Sequence, residues 1–130
     1  MSTVTLDGAA MAWLTTKGAA DRVRGAVQGF VQQSDVMARM GAEGVEMRQH
    51  MVNALVASGV LMELARELSE GKRMDEAGLR IASRFLRDYP TMLPNMQQQA
   101  ARLTDPNARD IFNTLLARAQ ALNTQPTRKS

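Results

Sequence analysis

The sequence predicts an all-α protein, a compact bundle of five or six helices around a long central helix (about 45–70), with a flexible C-terminal tail. Three observations predict it. Residues that lose little freedom in a helix dominate, with 19 Ala, 13 Leu and 13 Arg against 2 Ile and 9 Val, whereas β-branched and aromatic side chains favour strands. Apolar residues recur at helical spacing in one segment after another, and no period-2 alternation of strand length occurs. Asp, Gly and Pro stand between those segments, where helices start and stop.

The elements follow in order. Asp7 is placed to cap a short first helix, about 7–17, carrying Ala10, Met11, Trp13 and Leu14, and Gly18 is its stop. A second helix, about 19–40, puts Val23, Val27, Phe30, Val31 and Met37 on one face at 100° per residue. The run from Gly41 to Gly44 reads as a loop. The third helix, about 45–70, would measure about 39 Å. Its apolar residues between Met51 and Met62 fall nearly all round the wheel, the pattern of a helix surrounded by others. Farther on, Leu61, Leu64, Ala65 and Leu68 make one face, and Glu63, Arg66, Glu67 and Glu70 face away. Ser58-Gly59, mid-helix, marks a kink or a close-packing point.

Gly71 ends the third helix, and Asp75 is the cap of a fourth, about 75–88. Leu79, Ile81, Ala82, Phe85, Leu86 and Tyr89 form its core face, with Arg80, Arg84 and Arg87 as the opposite ridge, and Pro90 stops it. A fifth helix, about 92–103, accepts Pro94 because that residue lies in the first turn, and buries Leu93, Met96, Ala100 and Leu103. Thr104-Asp105-Pro106 supplies a cap and a proline at the first helical position of the sixth, about 106–122. Its core residues are Ile111, Phe112, Leu115, Leu116, Ala119 and Leu122. The 130-residue length fits one domain, 1–122, followed by the polar tail 123–130.

Several function classes fall away on composition. With no Cys there is no disulfide framework, thiolate metal site or cysteine nucleophile. A single His removes the chemistries that need two imidazoles. His50 lies four residues after Glu46, whereas the helical di-metal motif needs Glu-x-x-His and a second copy, so the expectation is a polar pair and no metal. No phosphate-binding glycine loop and no nucleophile elbow occurs. The expected protein is therefore not an enzyme and takes no cofactor. Residues 1–10 lack a secretory pattern and the apolar run from Met51 to Met62 is too short to span a bilayer, so the expected location is cytoplasmic. Arg outnumbers Lys 13 to 3, which points to a GC-rich bacterial source.

Three surface features carry the functional expectations. Ten Met in a chain with five aromatics is unusual, and flexible thioethers adapt to varied apolar partners. Met37, Met40, Met47 and Met51 flank the 41–44 loop and form a candidate partner-binding patch, against the ordinary use of Met as core filler. Gly25 and Gly29 share a face of the second helix, a close-packing surface for the chain's own helices or a dimer seam, because uncompensated helical glycines cost about 1 kcal/mol each. Charge is uneven: residues 1–76 carry eight basic and ten acidic side chains, residues 77–130 eight and three, giving −2 and +5 within the total of +3. Arg80, Arg84, Arg87 and Arg102 are the candidate surface for an anionic partner, against a merely solvated arginine face.

The expected function is a small helical protein that acts through protein–protein contacts, with a protein partner or a second copy of itself. The alternative is a DNA-binding regulator using the basic half, through Arg80, Arg84, Arg87, Asn95, Gln98 and Arg102. Asn95, Gln98 and Arg102 share an exposed face and are side chains that read base edges. Against a helix-turn-helix, the turn Tyr89-Pro90-Thr91 has no glycine and Pro94 sits in the presumed recognition turn.

Overall fold

The computed structural model of the chain describes residues 4–39 and 45–124. Six helices occupy them, α1 (Gly8–Thr16), α2 (Ala20–Arg39), α3 (Val45–Ser69), α4 (Glu76–Asp88), α5 (Met92–Arg102) and α6 (Pro106–Thr124), with no strand among the described residues. The all-α reading and the long third helix are both present. The 41–44 loop and the tail from 125 onward lie outside the described residues.

The helix ends follow from short-range chemistry. Asp7 accepts a hydrogen bond from the Ala10 amide at 2.9 Å, and Asp75 accepts from the amides of Ala77 and Gly78 at 3.0 and 3.4 Å. Asp105 does the same for α6, taking the Asn107 amide at 3.1 Å. These carboxylates satisfy amides that a first turn leaves unpaired. Gly18 and Gly71 have φ of +75° and +83°, the left-handed conformation that glycine adopts without steric cost. After each, the next residue's amide reaches back to close the helix, Ala19 to the Leu14 carbonyl and Lys72 to that of Glu67. Both are Schellman ends.

Internal contacts divide the chain into two units, Met1–Gly59 and Val60–Ser130, with the division inside α3. In the first unit α1 packs on α2. Ala10, Leu14, Val27, Val52 and Val56 are buried there. The segment before α1 is held by a two-way amide pair: the Thr5 amide donates to Gln49 Oε1 at 2.8 Å, and Gln49 Nε2 donates to the Thr5 carbonyl at 2.9 Å. Gly59 meets Val23 so closely that a Cβ on Gly59 would lie 2.8 Å from Val23 Cγ2. Of the two uses the sequence allowed for Ser58-Gly59, close packing is present.

In the second unit α6 packs against both α4 and α5. Leu79, Phe85, Met92, Met96 and Leu115 are fully enclosed. The Arg109 guanidinium donates to the Leu103 carbonyl at 2.9 and 3.3 Å, satisfying the end of α5. Two sequence expectations change here. Glu63 and Glu67, expected on an outward face, are buried. Glu63 accepts from Arg66 Nε at 2.7 Å, and Arg66 also donates to Glu70 at 2.9 Å, so the buried carboxylate is carried by a charge network that opens to solvent. α6 also runs on past residue 122 to Thr124, because Asn123 is tied back to α4.

Candidate functional site

Arg80, Arg84 and Arg87 are spaced i, i+4 and i+7 on α4, which stacks them along one side of the helix. Opposite them the end of α6 contributes Leu122 and Asn123. Together with Ser83 these residues line a concavity of about 330 Å³. Its floor is fixed by a reciprocal pair: the Ser83 hydroxyl donates to Asn123 Oδ1 at 2.8 Å, and Asn123 Nδ2 donates to the Ser83 carbonyl at 2.9 Å. Ser83 is only 5% exposed, so the pair satisfies polar atoms that are costly to bury alone.

The three arginines are held differently. Arg84 is half-buried, its guanidinium carbon 5.0 Å from the centre of the Phe85 ring. Arg87 is exposed in the last turn of α4, where a cation complements the helix dipole. Its Nε donates to Asp88 Oδ1 at 3.1 Å. Arg80 is exposed and has no hydrogen-bond or ion-pair partner among the described residues. No lining residue is acidic. Three arginines thus line the recess, with Arg87 paired to Asp88 and Arg80 presenting a planar fork of donors suited to carboxylate or phosphoryl oxygens.

Arg102, grouped with these arginines on sequence, lies exposed in the last turn of α5 and does not line the recess. Asn95 and Gln98 are likewise exposed on α5. Ser83, Leu122 and Asn123 were not singled out as site residues. Ser83 had a faint signal, a polar residue inside the arginine ridge. Asn123 had none, since its partner is 40 residues away.

The other candidates are placed as follows. Met51 is exposed on α3 at 43%, Met40 lies outside the described residues, and so do the side chains of Met37 and Met47. Met11, Met92 and Met96 are buried as core filler, and Met62 is exposed. Gly25 and Gly29 are exposed on α2, and a Cβ on either meets no heavy atom within 4 Å. Among the described residues, that face has no neighbour within 4 Å of either Cβ position. His50 is half-buried on α3, Glu46 is exposed, and neither lines the recess. Among the described residues no three His, Asp or Glu side chains are grouped to hold a metal ion. No described helix is long and apolar enough to cross a membrane.

Compared with known protein families, curated proteins and solved structures, the chain matches none of them.

Proposed function

We propose that this chain is a non-catalytic binding protein that docks an acidic segment of a partner protein in the arginine-lined recess between α4 and α6. One observation carries the reading: Arg80, Arg84 and Arg87 line an open concavity that also holds the Ser83–Asn123 pair. A fixed floor lowers the ordering cost of binding, because the guanidiniums project from a helix that is already docked. Charge-assisted hydrogen bonds supply about 1.5–3 kcal/mol each, and Leu122 adds an apolar contact at the same place.

The recess favours a peptide over duplex DNA. A recognition helix must protrude into a major groove about 12 Å wide, whereas these arginines line a hollow. The base-reading candidates Asn95, Gln98 and Arg102 stand outside that hollow on α5. The test is fluorescence anisotropy with an acidic peptide and with duplex DNA, each across a salt series. The expected result is saturable peptide binding that weakens about tenfold for Arg80→Ala or Arg87→Ala, the loss of one charge-assisted contact. DNA binding with a steep salt slope and no saturable binding of the acidic peptide would replace this reading with the DNA-binding one.

A further inference from the structure

We infer that residues 4–6 are a strap seated in a docking site for an extended segment of a partner protein, which Gln49 reads through its backbone, and that strap and partner compete for it. The site belongs to the first unit and shares no residue with the recess between α4 and α6.

The form of the contact is the first argument. The Thr5 amide donates to Gln49 Oε1 at 2.8 Å, and Gln49 Nε2 donates to the Thr5 carbonyl at 2.9 Å. One carboxamide thus takes both backbone groups of one residue, as a residue on an antiparallel neighbour strand would. The Thr5 hydroxyl adds only a 3.4 Å contact to the same oxygen. Main-chain bonds of this kind hold an extended peptide whatever side chain stands at the clamped position, and the flanking side chains supply selectivity. Val4 and Leu6 are half-buried and Thr5 is exposed, the alternation of an extended chain with one face against the protein. The matching partner segment is therefore extended, with an apolar side chain on each side of the clamped residue.

The strap is also lightly held. Among the described residues, Val4, Thr5 and Leu6 make no hydrogen bond except those between Thr5 and Gln49. Asp7, the next residue, caps α1 through its own carboxylate. Releasing Thr5 from Gln49 therefore opens the strap and leaves the cap of α1 in place.

Asn53 gives a reason for a partner to win. It is 6% exposed, and its Oδ1 accepts from Gln49 Nε2 at 3.1 Å. Its own amide nitrogen has no acceptor among the described residues. Buried donors are seldom left unmet, because each loses its bonds to water without return. An occupant that brings an oxygen to this nitrogen gains a hydrogen bond that the strap does not make.

The experiment adds a synthetic peptide with the sequence of residues 2–7 to the full chain, and follows binding by calorimetry and by NMR of the Gln49 and Asn53 side-chain amides. Thr5→Pro removes the strap's amide donor at an exposed position outside the helices. This variant is expected to bind the peptide about tenfold more tightly than the parent chain, the gain from losing one competing hydrogen bond. A peptide N-methylated at its central Thr should bind about tenfold more weakly, and one with Ser in place of its Val and Leu should not bind. Gln49→Ala, placed in the Thr5→Pro chain, should abolish binding while far-UV circular dichroism stays unchanged. Gln49→Glu keeps an acceptor for the peptide amide and loses the donor to its carbonyl, so it should retain weak binding. Equal affinity of the Thr5→Pro and parent chains overturns the competition. Binding that survives Gln49→Ala or N-methylation overturns the backbone clamp. Equal binding of the Ser-substituted peptide overturns the apolar selectivity, and binding of no peptide overturns the inference as a whole.

Discussion

Replacing Gly59 by alanine places a Cβ 2.8 Å from Val23 Cγ2. Real Cβ atoms do not sit that close, so Val23 or a helix must move. Val23 is 8% exposed, and a β-branched side chain on a helix has one strongly preferred rotamer, so rotation gives little relief. Overpacking of this kind costs about 1–3 kcal/mol. Replacing a mid-helix glycine by alanine returns about 1 kcal/mol through helix propensity. The net expectation for Gly59→Ala is a loss of about 1 kcal/mol. Gly25→Ala and Gly29→Ala have the same propensity gain and meet nothing within 4 Å, so each should stabilise by about 1 kcal/mol. The assay is urea unfolding at constant slope, comparing midpoints across the three variants. A Val23→Ala change in the Gly59→Ala background should cost less than in the parent chain, with a coupling of about 1 kcal/mol. If Gly59→Ala stabilises as much as Gly25→Ala, the close approach of Gly59 to Val23 is wrong.

Other expectations are smaller in scope. Asn123→Ala leaves the buried Ser83 hydroxyl without the acceptor it now uses, and should cost about 1–3 kcal/mol in unfolding free energy as well as weakening peptide binding in the recess. Asp75→Ala removes the α4 cap and should lower stability by about 1 kcal/mol, while Asp75→Asn retains most of it. Phe85→Ala empties a fully enclosed site in the second unit and should cost about 3–5 kcal/mol, measured by the shift in denaturant midpoint. Hydrogen bonds from Lys72 and then Arg66 hold the Glu70 carboxyl below its ordinary 4.5. As pH falls the unfolded chain therefore takes up this proton first, so the stabilisation is present above pH 4.5 and lost as pH drops through the folded value. Glu70→Gln should flatten the acid limb of the stability curve, and about 1 M salt should do the same to the parent chain because these side chains are exposed.

Where the capped helices begin and the glycine-ended ones stop was legible because the signals are local, whereas the end of α6 was not. Asp7, Asp75 and Asp105 bond to amides two or three residues on, and Gly18 and Gly71 close their helices within one turn. Such contacts need no tertiary neighbour, so the residues alone specify them. The Arg80/Arg84/Arg87 ridge was legible for the same reason, since helical spacing fixes which side chains share a face. That these arginines line a hollow rather than a flat face was not legible. It depends on α6 bringing Leu122 and Asn123 against α4.

Other assignments turned on the same distinction. Gly25, Gly29 and Gly59 look alike in sequence as small residues inside helices, yet only Gly59 is pressed against a side chain. Glu63 and Glu67 read as an outward polar face and are buried, one of them tied to Arg66. Asn123 reads as the first residue of a polar tail and ends up holding the floor of the recess. The residues alone settled the all-α class and the capped helix ends, because periodicity and capping act over a few residues, while the helix count stayed at five or six. Tertiary structure alone decided which charges are buried, which glycine is packed and which arginines share a cavity. The burial energy of a face depends on what is set against it, and that partner lies tens of residues away along the chain.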